Sequence, residues 1–339
     1  MNPTNRITTI VALFAIFTGN TTFAYQPIPR ESGWNGSVII GGMYMNYASN
    51  MVSGIKILDF SEPTIGSLNT APAAENTVTG LFKFDIKYNF TDSRTQLFLG
   101  DSLEDLARFD YTTQAGVLHE LSDKSIIQLS YLFSGIATEV WSDPYVVNQP
   151  RSVTDRSSSG FRLGYSKIAG SGLELDASFR EIRLASERSG LEQLGLNASS
   201  ARLLSREGYL MTYRASYVMT AGQHFWTPEF IIDKFDSDGA AMAYDTGTFK
   251  LTHNYNNYRF STFTTITIGH SEYDQANPIF GKVQEDDTIG ASFFLLDRGL
   301  FGSPKWSAMA SIAYLNRDAN MDFYTSDITI LAVGAVYSF

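Results

Sequence analysis

From Val78 to Phe90 the chain reads VTGLFKFDIKYNF. Val78, Phe82, Phe84, Ile86, Tyr88 and Phe90 fall on one parity, and Thr79, Lys83, Asp85, Lys87 and Asn89 on the other. A period of two belongs to an extended strand whose two faces meet different surroundings. At roughly 3.3 Å per residue the run covers about 43 Å, longer than an ordinary globular strand and enough for a tilted membrane crossing. The same texture returns in RFDYTTQAGV (108–117), GLELDASFR (172–180) and YLMTYRASYVM (209–219), and more weakly in YRFSTFTTITIG (258–269) and WSAMASIAY (306–314). Such windows predict strands near 34–48, 78–90, 94–101, 107–118, 125–138, 158–169, 172–184, 207–219, 223–235, 244–255, 258–270, 287–296, 305–316 and 326–339. They number fourteen, with twelve as the smaller count the windows allow. The first, third and ninth carry the weakest alternation; GSVIIGGMYM (36–45) is apolar on both faces.

The connections alternate as well. Residues 49–77, 139–157, 185–206 and 271–286 are long and polar, whereas TDS (91–93), AGSG (169–172), TAGQ (220–223) and Asn256-Asn257 read as tight turns. Connections 102–106 and 236–243 break the contrast in length but keep its phase. Short turns at one end and long loops at the other are the mark of a bacterial outer-membrane barrel. Tyr88, Phe90, Tyr165, Tyr217, Trp226, Tyr255, Tyr258, Trp306, Tyr337 and Phe339 all fall near strand ends on the short-turn side, where amphipathic rings favour a bilayer interface. The sequence therefore predicts an all-β fold. It is a single closed antiparallel transmembrane β-barrel over 34–339, with short periplasmic turns and long extracellular loops. The last stretch, ILAVGAVYSF, would close it, because no strand edge can stay unpaired in lipid.

Composition agrees with this picture. Aromatic residues make up 14% of the chain, and apolar residues 44%. Mean hydropathy is nonetheless only -0.09, as expected when apolar and polar positions alternate. Arg6, the apolar IVALFAIF (10–17) and the small residues TFA (22–24) read as a secretory signal peptide over 1–24, leaving 25–33 as a short periplasmic segment. There is no cysteine, so disulfides contribute nothing. The formal charge of -10 becomes -11 without Arg6, and no basic cluster suggests a nucleic-acid partner. The expected location is the outer membrane of a Gram-negative bacterium, in contact with its lipid and lipopolysaccharide.

Two segments carry a resemblance. IPRESGWNGSVIIGG (28–42) and SNMVSG (49–54) are similar to the domain of unknown function twenty-eight-sixty family of proteobacterial outer-membrane proteins. Membership implies a barrel across nearly the whole mature chain and implies no substrate. The terminal LAVGAVYSF also resembles the C-terminal signal read by the barrel-assembly machinery, which implies that machinery as a partner through the strand ending at Phe339.

The chemistry is sparse. A barrel hydrolase would place His and Ser two apart on one strand face, but His119, His224, His253 and His270 have no such neighbour. Asp236 and Asp238 could join His270 at the outer rim or begin a calcium loop, but they lack the downstream glutamate of such a loop. Ser189 and Glu192 have capping-box spacing ahead of Leu191, Leu194 and Leu203, suggesting a short loop helix. No enzyme, cofactor or metal is expected. Parity turns Lys83, Asp85, Lys87, Arg108, Asp110, Gln128, Arg162, Glu174, Asp176, Arg180, Arg214, Lys250 and Arg259 toward the lumen. Arg or Lys on the lipid face would cost about 2–4 kcal/mol at midplane. These residues are the expected lining of a passive or weakly selective, porin-like passage for small polar solutes. The alternative is an ion-paired network filling the lumen beneath loops that bind a ligand, surface or partner.

Overall fold

The computed structural model describes residues 28–56, 58–105 and 110–339. The expected signal peptide and the first residues of the 25–33 segment lie outside that set. The wall consists of β1 (Gly33–Ala48), β2 (Ala74–Phe90), β3 (Thr95–Asp105), β4 (Asp110–Glu120), β5 (Ile126–Phe133), β6 (Val153–Ser166) and β7 (Leu173–Leu184). It continues through β8 (Gly208–Tyr217), β9 (His224–Ser237), β10 (Tyr244–Asn256), β11 (Phe260–Asn277), β12 (Lys282–Arg298), β13 (Trp306–Ala319) and β14 (Ser326–Ser338). Every strand pairs antiparallel with its sequence neighbours, and β1 closes the ring by pairing with both β2 and β14. All fourteen expected strands are present. No helix among the described residues is long and apolar enough to cross a membrane.

The chain end belongs to the seam. Ladder pairs run from Ser37↔Ser338 to Ala48↔Asp327. Beyond them the Phe339 N–H donates to the Gly36 carbonyl at 3.1 Å and the Gly36 N–H to the Phe339 carbonyl at 3.2 Å. Inside the seam Gly41 sits opposite Gly334, and a Cβ on Gly41 would collide with the Val333 carbonyl oxygen. Two glycines let the backbones approach closely at the closing pair.

The outer surface is the apolar one. Val78 is 78% exposed, Phe230 and Val333 each 63%, and Phe82 and Ile40 each 62%. In water such a belt would be an aggregation surface; in hydrocarbon it meets a matching solvent. At the short-turn end the rings form a girdle across the seam. Trp34 stands edge-on to Tyr88 at 5.0 Å, Tyr88 to Phe90 at 4.8 Å, and Trp306 packs on Tyr337 at 5.0 Å.

Three expectations change. The loop expected at 271–286 shrinks to residues 278–281, because β11 and β12 keep their alternation past the apolar belt. There Glu272, Glu285 and Asp287 point outward into a polar surrounding at no desolvation cost. The loop helix is Ala198–Arg202, capped by the Asn197 side chain; the Ser189 hydroxyl instead donates to Glu187 at 2.7 Å, so the capping box does not form. The third change is a second tier above β5. Thr138–Trp141 pairs with the upper part of β6, and Val52–Ile55 pairs with Thr138–Trp141, so parts of two outer loops continue the sheet inward of the rim.

Candidate functional site

The barrel interior has two unlike walls. Along the middle of β2 and β4 to β10 many of the inward residues are charged or polar, with apolar clusters nearer the two ends. Lys83, Asp85, Lys87, Gln128, Arg162, Glu174 and Arg180 are all buried, Arg162 with 2% of its surface exposed. Asp176, Arg214 and Lys250 are half-buried on the same inward parity. Arg162 Nε lies 3.3 Å from Asp176 Oδ2, and Arg214 Nη1 lies 3.0 Å from Asp176 Oδ1, so one carboxylate bridges two guanidinium groups. Lys87 Nζ lies 2.9 Å from Asp85 Oδ2. Arg162 also donates to Gln114 Oε1 at 3.3 Å, and Arg180 reaches the Thr112 and Ser158 hydroxyls at 3.4 Å. Buried charges persist only when paired or hydrogen-bonded in this way.

Two of the thirteen expected lining positions lie beyond description. Arg108 falls outside the described residues, and of Asp110 only the backbone, at the start of β4, is described. Arg259 is a correction. It sits in the 257–259 turn before β11 and is exposed, with Nε 3.0 Å from Asp297 Oδ1 at the short-turn rim. Strand parity does not govern a turn residue. Sequence reasoning passed over Gln114 and Glu229, although both sit on the inward parity of their strands.

The opposite wall, β11 to β14 with β1, is a hydrophobic core. Ile39, Phe263, Phe294, Leu296, Met309, Ala332 and Val336 form one buried cluster. Nearer the outer end, Met45, Tyr47, Ile328 and Ile330 form another, covered by Val52 and Phe60 from the first outer loop. The first outer loop thus folds inward over an apolar wall that water would otherwise meet.

The remaining outer loops pack on one another as a cap. Tyr145, Leu204, Met242, Met321, Phe323 and Tyr324, from four different outer connections, share one core. Arg151 donates to the carbonyls of Pro63 (3.1 Å), Asn50 (3.0 Å) and Glu62 (2.7 Å) and lies 4.2 Å above the Trp141 ring. Asp143 accepts from the N–H groups of Tyr145, Gly190 and Glu192. Arg206 forks onto Glu187 and donates to the Trp141 carbonyl at 2.8 Å. Burial alone would raise the Glu187 carboxyl; the Arg206 charge and hydrogen bonds outweigh it and hold it below the usual range. Burial also pushes the Tyr145 phenol up to about 12, so its hydroxyl stays a neutral partner for Tyr324 at 2.7 Å. At the short-turn end Ile28 packs with the inward side chains Phe98, Leu118 and Ile126, and Arg94 grips the Ile28 and Pro29 carbonyls.

The histidines stand elsewhere. His119 Nδ1 lies 3.0 Å from Thr95 Oγ1, His224 stacks on His253, and His270 Nδ1 lies 2.8 Å from Asp287 Oδ1, all on the outward face. Asp236 lies within β9 and Asp238 just beyond it, on strands or loops apart from His270. Among the described residues no group of three or more His, Cys, Asp or Glu side chains could hold a metal ion. Below the cap is a cavity of about 130 Å³ lined by Ile182, Leu210, Phe235, Tyr244, Gln284 and Arg317, among others.

No curated protein matches the chain in sequence. Solved structures similar to it include a FadL homologue of Pseudomonas aeruginosa, with 10% identity and TM-score 0.44, over 96% of this chain and 95% of that one. OmpT, an outer membrane protein of Vibrio cholerae, shows 9% identity and TM-score 0.39 over 90% and 98%. An anion-selective porin from Comamonas acidovorans shows 8% identity and TM-score 0.40 over 91% and 99%. The sequence itself places the chain more firmly: residues 33–338, the whole barrel but its last residue, match the family described as "Protein of unknown function (DUF2860)", and the chain belongs to that family.

Proposed function

We propose that this barrel works in the outer membrane of a Gram-negative cell as a capped scaffold. In this reading its lumen is structural, and its closed outer end binds a ligand or partner. One observation carries the reading. The charged inner face expected to line a passage is buried and cross-linked, with Arg162 and Arg214 sharing Asp176, while the loops above it share a core. An aqueous pore would leave such side chains hydrated rather than tied to one another. The terminal strand ending at Phe339 supports recognition by the barrel-assembly machinery.

The test is conductance in planar bilayers. The wild-type protein should show no steady current steps, and Phe60→Asp, which drives the first loop off its apolar wall, should create them. Steady steps from the wild type would instead support the second reading, a weakly selective passage for small polar solutes. That reading draws on the mixed signs of charge along β2 and β6 to β8.

A further inference from the structure

The cavity beneath the cap is built from two kinds of lining. Ile182, Leu210, Phe235 and Tyr244 form one buried cluster with Tyr273 against it, giving an apolar wall with three rings. Facing them from β12 and β13 are Gln284, Asp286 and Arg317. Gln284 is 2% exposed and its Nε2 donates to both carboxylate oxygens of Asp286, at 2.8 and 3.1 Å. Asp286 also accepts from the Tyr273 hydroxyl at 3.3 Å. A carboxylate only accepts hydrogen bonds, so the amide nitrogen must face it, and the orientation of Gln284 is fixed. Its Oε1 is then turned away from Asp286 and has no hydrogen-bond partner.

A buried acceptor without a donor is costly, whereas a donor brought by a ligand is rewarded. The volume, about 130 Å³, is close to that of an apolar cavity of roughly 150 Å³ that accepts benzene. We propose that the chamber binds a small single-ring aromatic compound carrying one hydroxyl donor, a phenol. The ring lies against Phe235, Tyr244 and Leu210, and the hydroxyl donates to Gln284 Oε1, which a shift of the neighbouring side chains uncovers, since the atom itself is buried. The inference deepens the capped-scaffold reading, since the cap forms the roof of the chamber. The two fail separately, because conductance tests the cap and ligand binding tests the chamber.

The experiment measures binding of 4-fluorophenol, 4-fluorotoluene and 4-fluoroanisole to the full barrel in detergent by fluorine NMR. Leu210→Trp, which fills the chamber, serves as the blank for partition into micelles; Ile182→Phe replaces it if that variant does not fold. The phenol should bind about tenfold more tightly than the methyl or methoxy compound, neither of which can donate. Gln284→Leu should abolish that preference while leaving the binding of 4-fluorotoluene unchanged or stronger. Equal affinity for the three compounds in the wild type, with a water serving Oε1, overturns the proposal. So does phenol binding that survives in the filled variant.

Discussion

Two walls face each other across the lumen, and they are held by different physics. On β11 to β14 and β1 the inward side chains are Phe263, Phe294, Leu296, Met309, Ile330 and Val336, packed as in a soluble core. On β2 and β6 to β8 they are Lys83, Asp85, Arg162, Asp176, Arg180 and Arg214, held by ion pairs and hydrogen bonds. An apolar wall inside a barrel must be covered, so Phe60 and Val52 are drawn down over it. A charged wall needs partners of fixed geometry, so it constrains its own strands instead. In the capped-scaffold reading the first wall draws a loop inward and the second keeps the lumen from hydrating, so that the two would close the barrel from two directions.

The largest effect should come at the seam that joins the walls. Gly41→Val puts a side chain into the Val333 carbonyl, where backbone cannot move aside, and should prevent closure. Loss of the heat-modifiable folded band on gels would report it. Next, Phe294→Ala on the apolar wall should cost about 3–5 kcal/mol in urea unfolding from bilayers. On the opposite wall Asp176→Asn keeps the shape and removes the charge that Arg162 and Arg214 share, for a cost of about 1.5–3 kcal/mol. If the two losses were reversed in size, the ion network rather than the apolar wall would be the main core.

A smaller effect concerns the cap. Glu187 is held below its ordinary value of 4.5 in the folded protein, so the stability it contributes is full above pH 4.5. That contribution is lost as pH falls through the lower folded value. Proteolysis of the outer loops should therefore accelerate in acid, and Glu187→Gln should flatten that dependence. The smallest change expected is at the turn beside β4. Lys124→Ala removes an exposed partner of Glu120 and should shift unfolding by less than about 1 kcal/mol.

Much of this was legible in the chain. Alternation alone located the strands, because a residue facing lipid and a residue facing the interior are chosen by opposite rules. It also placed Lys83, Arg162 and Arg180 inward. It was silent where both faces are apolar. From GSVIIGGMYM no parity argument could tell that Ile39 and Met45 face a core rather than lipid, since that core is completed by Phe60 and Val336 from distant segments. The chamber was hidden for a different reason. Gln284 and Asp286 were read as loop residues, although QEDDTIGASF keeps a strand's alternation through them. The cap rests on Arg151, Asp143 and Arg206, whose partners are backbone groups from other loops and leave no local pattern.

The proposed closure of the interior can be tested directly because the chain has no cysteine. Single cysteines at Ser178 on the charged wall and Ser311 on the other side would report access by a charged thiol reagent, with Asn69→Cys on the exposed first loop as the reference. The account predicts that both interior sites label about a hundredfold more slowly than the loop site in the folded, membrane-inserted protein. Labelling of Ser178→Cys and Ser311→Cys at the rate of the loop site would show a water-filled lumen and contradict it.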